Sequence, residues 1–422
     1  MRIIKTTMAV LFLSFFFLLG NLLLGGNCIY ADDEIGWHGP YEFKVPPDGF
    51  KQGINDQKVI KQFNCGNADE INGLVPDIQI EWLKDSQTWG PFFINETPYE
   101  KYEPTPGYAQ ATEKYKGTCK LRDDGLLLNW VAGLPFENPQ NGWEVAWNFE
   151  KRCKWDDVDF PYVAPVVDKK GKVKHFLKGD WRRLYFVGRT EVDPKPAYPN
   201  DRGLELMDSY GYSDPYDMRG IIPRYYRYVD QFKPDDGWMY IPTMRRVRRL
   251  STAQRMDTPG GGNVYTWDDF QGFAGKIMQY DWKLVGRKEA LLPRMAKGTP
   301  EWVDGRHLAN ANQYYQRVNA YILECIPKDP NHVYSKSVFW VDPESWHFCY
   351  AMRYDRGDRL WRIFNTHISY MANGTYMPAG MSCLDVQTNY SSNPYVHGSF
   401  SNTGWTPNAF SWKQLRTLYP SR

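Results

Sequence analysis

The stretch that decides the fold runs from Gly237 to Glu289, GWMYIPTMRRVRRLSTAQRMDTPGGGNVYTWDDFQGFAGKIMQYDWKLVGRKE. Trp238, Tyr240 and Ile241 to Pro242 read as a strand entering a basic run, Arg245, Arg246, Val247, Arg248 and Arg249. Side chains alternate along a strand, so Arg246 and Arg248 leave one face while Arg245, Val247 and Arg249 leave the other. In a sheet packed on one side, one of those pairs must face a wall or cavity, and buried charge needs a well-placed partner. Asp268 and Asp269 are the natural candidates. Between them, Pro259, Gly260, Gly261 and Gly262 mark a loop where positive φ is free of steric cost, and Tyr280, Trp282, Leu284 and Val285 restart a strand. The arrangement reads either as a salt-bridged sheet corner or as a positive lip beside a ligand cavity.

The order WMYIPTMRRVRRL, DTP, a DD pair, F-x-G and YDWKLVGRKE resembles a bacterial family of secreted proteins similar to outer-membrane lipoprotein-sorting proteins. GLPFENPQNGWEVAWNF (Gly133 to Phe149), HVYSKSVFWVDPESW (His332 to Trp346) and YDRGDRLWR (Tyr354 to Arg362) follow the same family order. The resemblance implies a mainly β chain with helices over residues 133–422. Its expected form is a half-open antiparallel β-barrel of lipoprotein-carrier type, whose concave side and helical lid enclose an apolar cavity. It also implies a periplasmic carrier or adaptor for a lipid-like molecule, working beside an RND-superfamily exporter and an outer-membrane protein. It implies no catalytic residue.

At the start of the chain, Arg2 and Lys5 precede a nearly apolar run from Met8 to Leu24, and Ile29-Tyr30-Ala31 before Asp32 fits signal-peptide cleavage after Ala31. A lipidated Cys28 would follow Asn27, which departs from the usual small residue before such a cysteine. The run is also long enough to approach a membrane span. Loss of residues 1–31 takes two bases from the 51 and none of the 49 acids, leaving 49 against 49. A neutral chain with one local basic cluster is a poor nucleic-acid binder. Mean hydropathy of −0.60 fits a soluble product.

Six cysteines remain beyond residue 31, an even number that suggests disulfides in an exported protein. One pairing can be argued against. If Arg317 to Ile326, Val333 to Val341 and Trp346 to Tyr354 form a meander, Cys325 and Cys349 lie about 9–10 Å apart on non-adjacent strands, beyond bridging reach. No cysteine or histidine spacing suits zinc, so neither metal nor other cofactor is expected.

From Asp32 to about Tyr115 the chain is punctuated by prolines and reads as a loop-rich arm with short helices, wrapping a core made elsewhere; the arm is taken to extend over residues 32–132. Asn138 to Arg152 is the clearest helix, with Trp143, Ala146, Trp147 and Glu150 on one side; it serves as a cavity lid or packs on the sheet. Asp156, Asp157 and Asp159 read as a solvated turn. Asp180 to Val192 and Ile222 to Val229 read as strands, with Asp193 to Gly220 a loop between them.

Trp346, Phe348, Tyr350, Met352 and Tyr354 alternate as one apolar face, against His347, Cys349, Ala351 and Arg353 on the other. With a two-residue Arg356-Gly357 loop, Tyr354 faces Arg359, Trp346 faces His367 and His347 faces Thr366, which separates the two histidines. These five residues, with Trp143 and Trp147, are the candidate ligand-binding set. Arg245, Arg246, Arg248, Arg249, Asp268 and Asp269 are the candidate ion-pair cluster or cavity lip. Thr406-Pro407 opens a closing helix, Asn408 to Leu418.

No GxSxG, HExxH, P-loop or Rossmann fingerprint occurs. Two alternatives to a carrier stay open: a secreted hydrolase using Asp268 or Asp269 beside an arginine, and an outer-membrane β-barrel whose strands face lipid.

Overall fold

The computed structural model describes residues 57–85, 93–251, 255–258, 262–297, 313–370, 376–396 and 400–418. The signal segment, Cys28 and Pro259 to Gly261 lie outside these residues.

One large antiparallel sheet is built from two meanders. The first comprises β1 (Asp157–Val167), β2 (Val173–Tyr185), β3 (Leu204–Asp214), β4 (Ile222–Tyr228), β5 (Asp236–Ile241) and β6 (Arg246–Leu250), each paired with the one before. The second comprises β7 (Tyr280–Leu292), β8 (Gln313–Pro327), β9 (Lys336–Val341), β10 (Phe348–Tyr354), β11 (Leu360–Tyr370) and β12 (Tyr376–Asp385). Short strands at Tyr390–Ser392 and Tyr395–Val396 pair with both β12 and β1 and so fuse the meanders. Among the described residues β6 pairs only with β5 and β7 only with β8, and the two do not pair with each other. The sheet is therefore half-open, and the stretch from Gly237 to Glu289 supplies both of its edges.

The same stretch fills the inside. Between the edges, Trp267 and Phe270 pack on the first meander, with ring centroids 4.9 Å from Tyr210 and from Trp181 respectively. Phe273 packs on the second, 5.9 Å from Phe339 and 5.2 Å from Trp282. A sheet that meets one short segment from both halves must curve around it. Helix α3 (Gly142–Glu150) shares this interior: Phe149 stacks on Phe348 at 3.8 Å. Asn141 caps it, accepting the Glu144 N–H at 3.0 Å. Its first residue is glycine because a Cβ there would lie 2.6 Å from the backbone of Trp282 and Lys283. The helix is thus packed on the sheet.

The outer face is covered from both ends of the chain. Phe63, Ile71, Trp82 and Leu83 of the arm pack with Leu291, Val318, Tyr350 and Met352 on the second meander. Trp82 and Leu83 lie on α1 (Asp77–Lys84), and Ile94–Glu96 adds a parallel strand to β8. Phe410 and Trp405 pack with Leu184, Phe186 and Tyr226 on the first meander, before the closing helix at Trp412–Leu418.

Several expectations are corrected here. The basic run does not continue the Trp238 strand: Pro242–Met244 form a 3-10 turn, Arg245 adopts φ 50°, and β6 runs back along β5. As an edge strand β6 has water on both faces, and Arg245, Arg246, Arg248 and Arg249 are all exposed. Asp193 to Gly220 is not all loop, since β3 lies within it. The polar residues that disguise this strand are buried and paired, Asp208 with Arg183 at 2.6 Å. Asp156, Asp157 and Asp159 are not solvated. Asp156 accepts three backbone N–H groups from Thr190, Glu191 and Val192, Asp157 accepts those of Thr403, Gly404 and Trp405, and Asp159 pairs with Arg182 at 2.8 Å. Of the six cysteines beyond residue 31, Cys65 is disulfide-bonded, while Cys119, Cys153, Cys325, Cys349 and Cys383 are free thiols, so Cys325 and Cys349 are unbridged, as expected, and the expectation of disulfides holds for Cys65 alone.

The apolar face of β10 is divided. Val341 pairs with Phe348 and Trp340 with Tyr350, so Cys349 is an extra residue in a β-bulge. Trp346 and Phe348 therefore join the inner core, and Tyr350 and Met352 the outer one, where Tyr354 packs beside them. The hairpin register also differs. Tyr354 faces Leu360, a slip of one, and beyond an irregularity at Arg353/Tyr354 Tyr350 faces Asn365, a slip of two that leaves the sidedness there unchanged.

His367 on β11 is buried without a hydrogen bond to Nε2, and burial pushes its imidazole down to about 3. The unfolded chain, with an ordinary pKa near 6.5, then binds more protons than the folded one between those values. Stability is full above about pH 6.5 and falls toward pH 3, by about 1.4 kcal/mol per pH unit from this group. Urea unfolding across this range should show a shallower acid limb for His367→Leu by that slope; parallel limbs would refute the assignment.

Candidate functional site

An apolar cavity of about 320 Å³ lies between the arm, the end of α3 and the turn before β10. Its roof is α2 (Pro106–Lys114), which starts with proline at a position where the missing N–H costs nothing. Tyr108, Ala109 and Thr112 of α2 line it, with Tyr102, Leu134, Cys153 and Trp346. The Tyr108 hydroxyl donates to the Lys151 carbonyl at 2.8 Å, fastening the roof to the chain that leaves α3.

The Trp346 wall is set by the VDPESWHF turn. Arg294, wholly buried, pairs with Asp342 at 2.9 Å and Glu344 at 2.6 Å. Ser345 donates to Asp342 at 2.7 Å, and Trp346 sits at φ 63°. Burial pushes Glu344 up, but bonds from Tyr99, the Tyr102 N–H and Arg294 outweigh it and hold the carboxyl below its ordinary range.

The phenols and the thiol of the lining are held uncharged. Burial pushes the phenols of Tyr102 and Tyr108 well above their ordinary range, and it raises the Cys153 thiol. A thiol held protonated is a poor nucleophile. Lys101, Glu113 and Glu344 are the charged residues of the lining.

Of the candidate ligand residues, Trp346 reaches this cavity. Phe348, Tyr350, Met352 and Trp147 are buried in the core, and Trp143 and Tyr354 are partly buried. Arg245, Arg246, Arg248 and Arg249 form no pair with Asp268 or Asp269; Arg249 pairs with Asp236. The two aspartates have other partners. Asp268 binds Arg255 at 2.6 Å. Asp269 lies 3.2 Å from Arg353 and 3.8 Å from Arg362, and it accepts the Tyr334 hydroxyl at 2.6 Å. This cluster pins the inner segment to β10 and β11. The cavity residues that periodicity misses, Tyr102, Tyr108 and Leu134, sit in the arm or just after it, where Thr105-Pro106 was the one signal of a helix start.

The family described as protein of unknown function (DUF1329) matches residues 63–416. The chain belongs to the DUF1329 family. The DUF1329 match begins well before Gly133, so the arm is part of it. The uncharacterized protein PA3922 of Pseudomonas aeruginosa is 26% identical over 273 residues, covering 61% of this chain and 58% of that protein. The chain thus matches less than two thirds of that relative. A DUF1329 family protein from Desulfovibrio piger aligns with TM-score 0.48 and 18% identity over 64% of this chain and 96% of that one. A LolA superfamily protein, NE2245 from Nitrosomonas europaea, aligns with TM-score 0.42 and 12% identity over 65% and 99%.

Proposed function

We propose that this DUF1329 protein is a periplasmic carrier or adaptor that holds a hydrophobic, lipid-like molecule under α2, acting beside an envelope exporter of RND type. The observation that carries the reading is the 320 Å³ cavity with Tyr102, Tyr108, Leu134 and Trp346 in its lining. That volume falls at the small end of the range of about 300–1,000 Å³ for ligand pockets, and apolar burial at about 25 cal/mol per Å² supplies affinity without catalysis. The packing also bears on the alternatives. Away from the β6 and β7 edges, strands such as β3, β4, β10, β11 and β12 are buried on both faces by the chain itself, whereas a membrane barrel turns one face to lipid. Asp269 is committed to two arginines and a tyrosine, which leaves a hydrolase little to work with.

Mass spectrometry of an organic extract of the natively purified protein tests the proposal. One enriched class of hydrophobic molecule is the expected result. A folded protein that is empty, and that takes up no lipid when offered it, would overturn the reading.

A further inference from the structure

Behind the apolar cavity lies a second, small space of about 30 Å³, lined by Trp130, Lys151, Arg152, Lys154, Tyr185 and Glu205 among others. Tyr108 lines both spaces, so the apolar cavity and the charged one meet at this side chain. The charges on the inner wall can be assigned one by one. Glu205 binds Lys151 at 2.5 Å and keeps its other oxygen, Oε2, without a hydrogen-bond partner. Glu150 lies 3.8 Å from Lys154. Asp156 is taken by the three backbone N–H groups of residues 190–192.

Arg152 is the exception. It is 6% exposed, gives one Nη1 bond to the Phe149 carbonyl at 2.6 Å, and has an Nε without a hydrogen-bond partner. Its guanidinium rests on the Phe149 ring at 4.2 Å, and no carboxylate lies within ion-pair distance among the described residues. A buried cation with no carboxylate in contact is costly. After burial, Arg152 and Lys154 are the groups that push the nearby His347 imidazole well below its ordinary range, a second sign that this part of the interior is electropositive.

We propose that Arg152, supported by Lys154, binds the carboxylate head of an amphiphile whose tail occupies the cavity under α2. This deepens the carrier reading and rests on it. A space this small favours a compact head such as a carboxylate over a phosphodiester with its substituents. A carboxylate accepts from a guanidinium through charge-assisted bonds, and Glu205 Oε2 offers an acceptor to a water carried in with it. An uncharged head gains none of the ionic part.

Binding of dodecanoate, dodecan-1-ol and methyl dodecanoate to the full chain, measured by calorimetry, tests this. The acid should bind about tenfold or more tighter than the alcohol or ester, the difference expected from one charge-assisted contact. Arg152→Gln should bring all three to similar affinity while alcohol binding is unchanged, and Arg152→Lys should restore most of the preference. Equal binding of acid and alcohol to the natural protein would overturn the head-group site and leave the carrier reading standing. Binding of none of the three would overturn both.

Discussion

Replacing Asp269 with Asn is expected to destabilise the protein by about 3–5 kcal/mol, the usual cost of removing one partner from a buried charge cluster. Asp269 is 1% exposed and is the one carboxylate within ion-pair distance of Arg353 and Arg362 among the described residues. Arg353 also donates to the Gly272 carbonyl at 2.6 Å, so this cluster holds the inner segment against β10 and β11. Losing the charge strands two guanidinia in an aromatic interior, beside Phe339 and Trp361. Urea unfolding measures the effect. Arg246→Ala and Arg248→Ala, both on the exposed edge strand, should shift stability by no more than about 0.5 kcal/mol. If the arginine changes cost as much as the aspartate change, the pairing described for Asp269 is wrong.

The second large effect concerns the cavity. Ala109→Trp should abolish retention of the hydrophobic molecule while changing stability by no more than about 0.5 kcal/mol, because the position is an exposed one on α2. An indole placed at the mouth occupies space that a ligand chain needs, without disturbing the buried contacts of Tyr108. The readout is the organic extract of wild type and variant, with urea unfolding as the control for folding. Undiminished retention in Ala109→Trp would place the ligand elsewhere. The aromatic core gives a poorer test: Tyr350 donates to the Leu291 carbonyl at 2.8 Å inside the outer core, so changing it would damage the fold before it reported on binding.

The charge cluster and the cavity were not equally legible. Period-two alternation exposed β2, β4 and the strands from β7 to β11, because each presents residues of one kind to one packed layer. Family order pointed to the same half-open sheet. The helix at Gly142–Glu150 was readable from its tryptophans, though its start at Gly142 and its Asn141 cap lie inside the span read from Asn138. The paired carboxylate Asp268-Asp269 was visible as a feature, but its partners were assigned to the dense arginine run of residues 245–249, past the nearer Arg255. The true partners, Arg255, Arg353 and Arg362, are reached only when the sheet curves round the inner segment.

By itself the sequence determined the strand-rich character, the positions of most strands, the short elements of the arm and the absence of recognised catalytic motifs. These depend on local periodicity and turn chemistry, which act over a few residues. Only the tertiary structure decided which face each residue joins. One extra residue at Cys349, defined by its partners on β9, sends Phe348 inward and Tyr350 outward. Only the tertiary structure, likewise, put the arginine run in water, placed Tyr108 where two cavities meet and left Arg152 without a carboxylate. Burial and charge pairing are set by segments that meet across long sequence separations, and no local pattern records which ones meet.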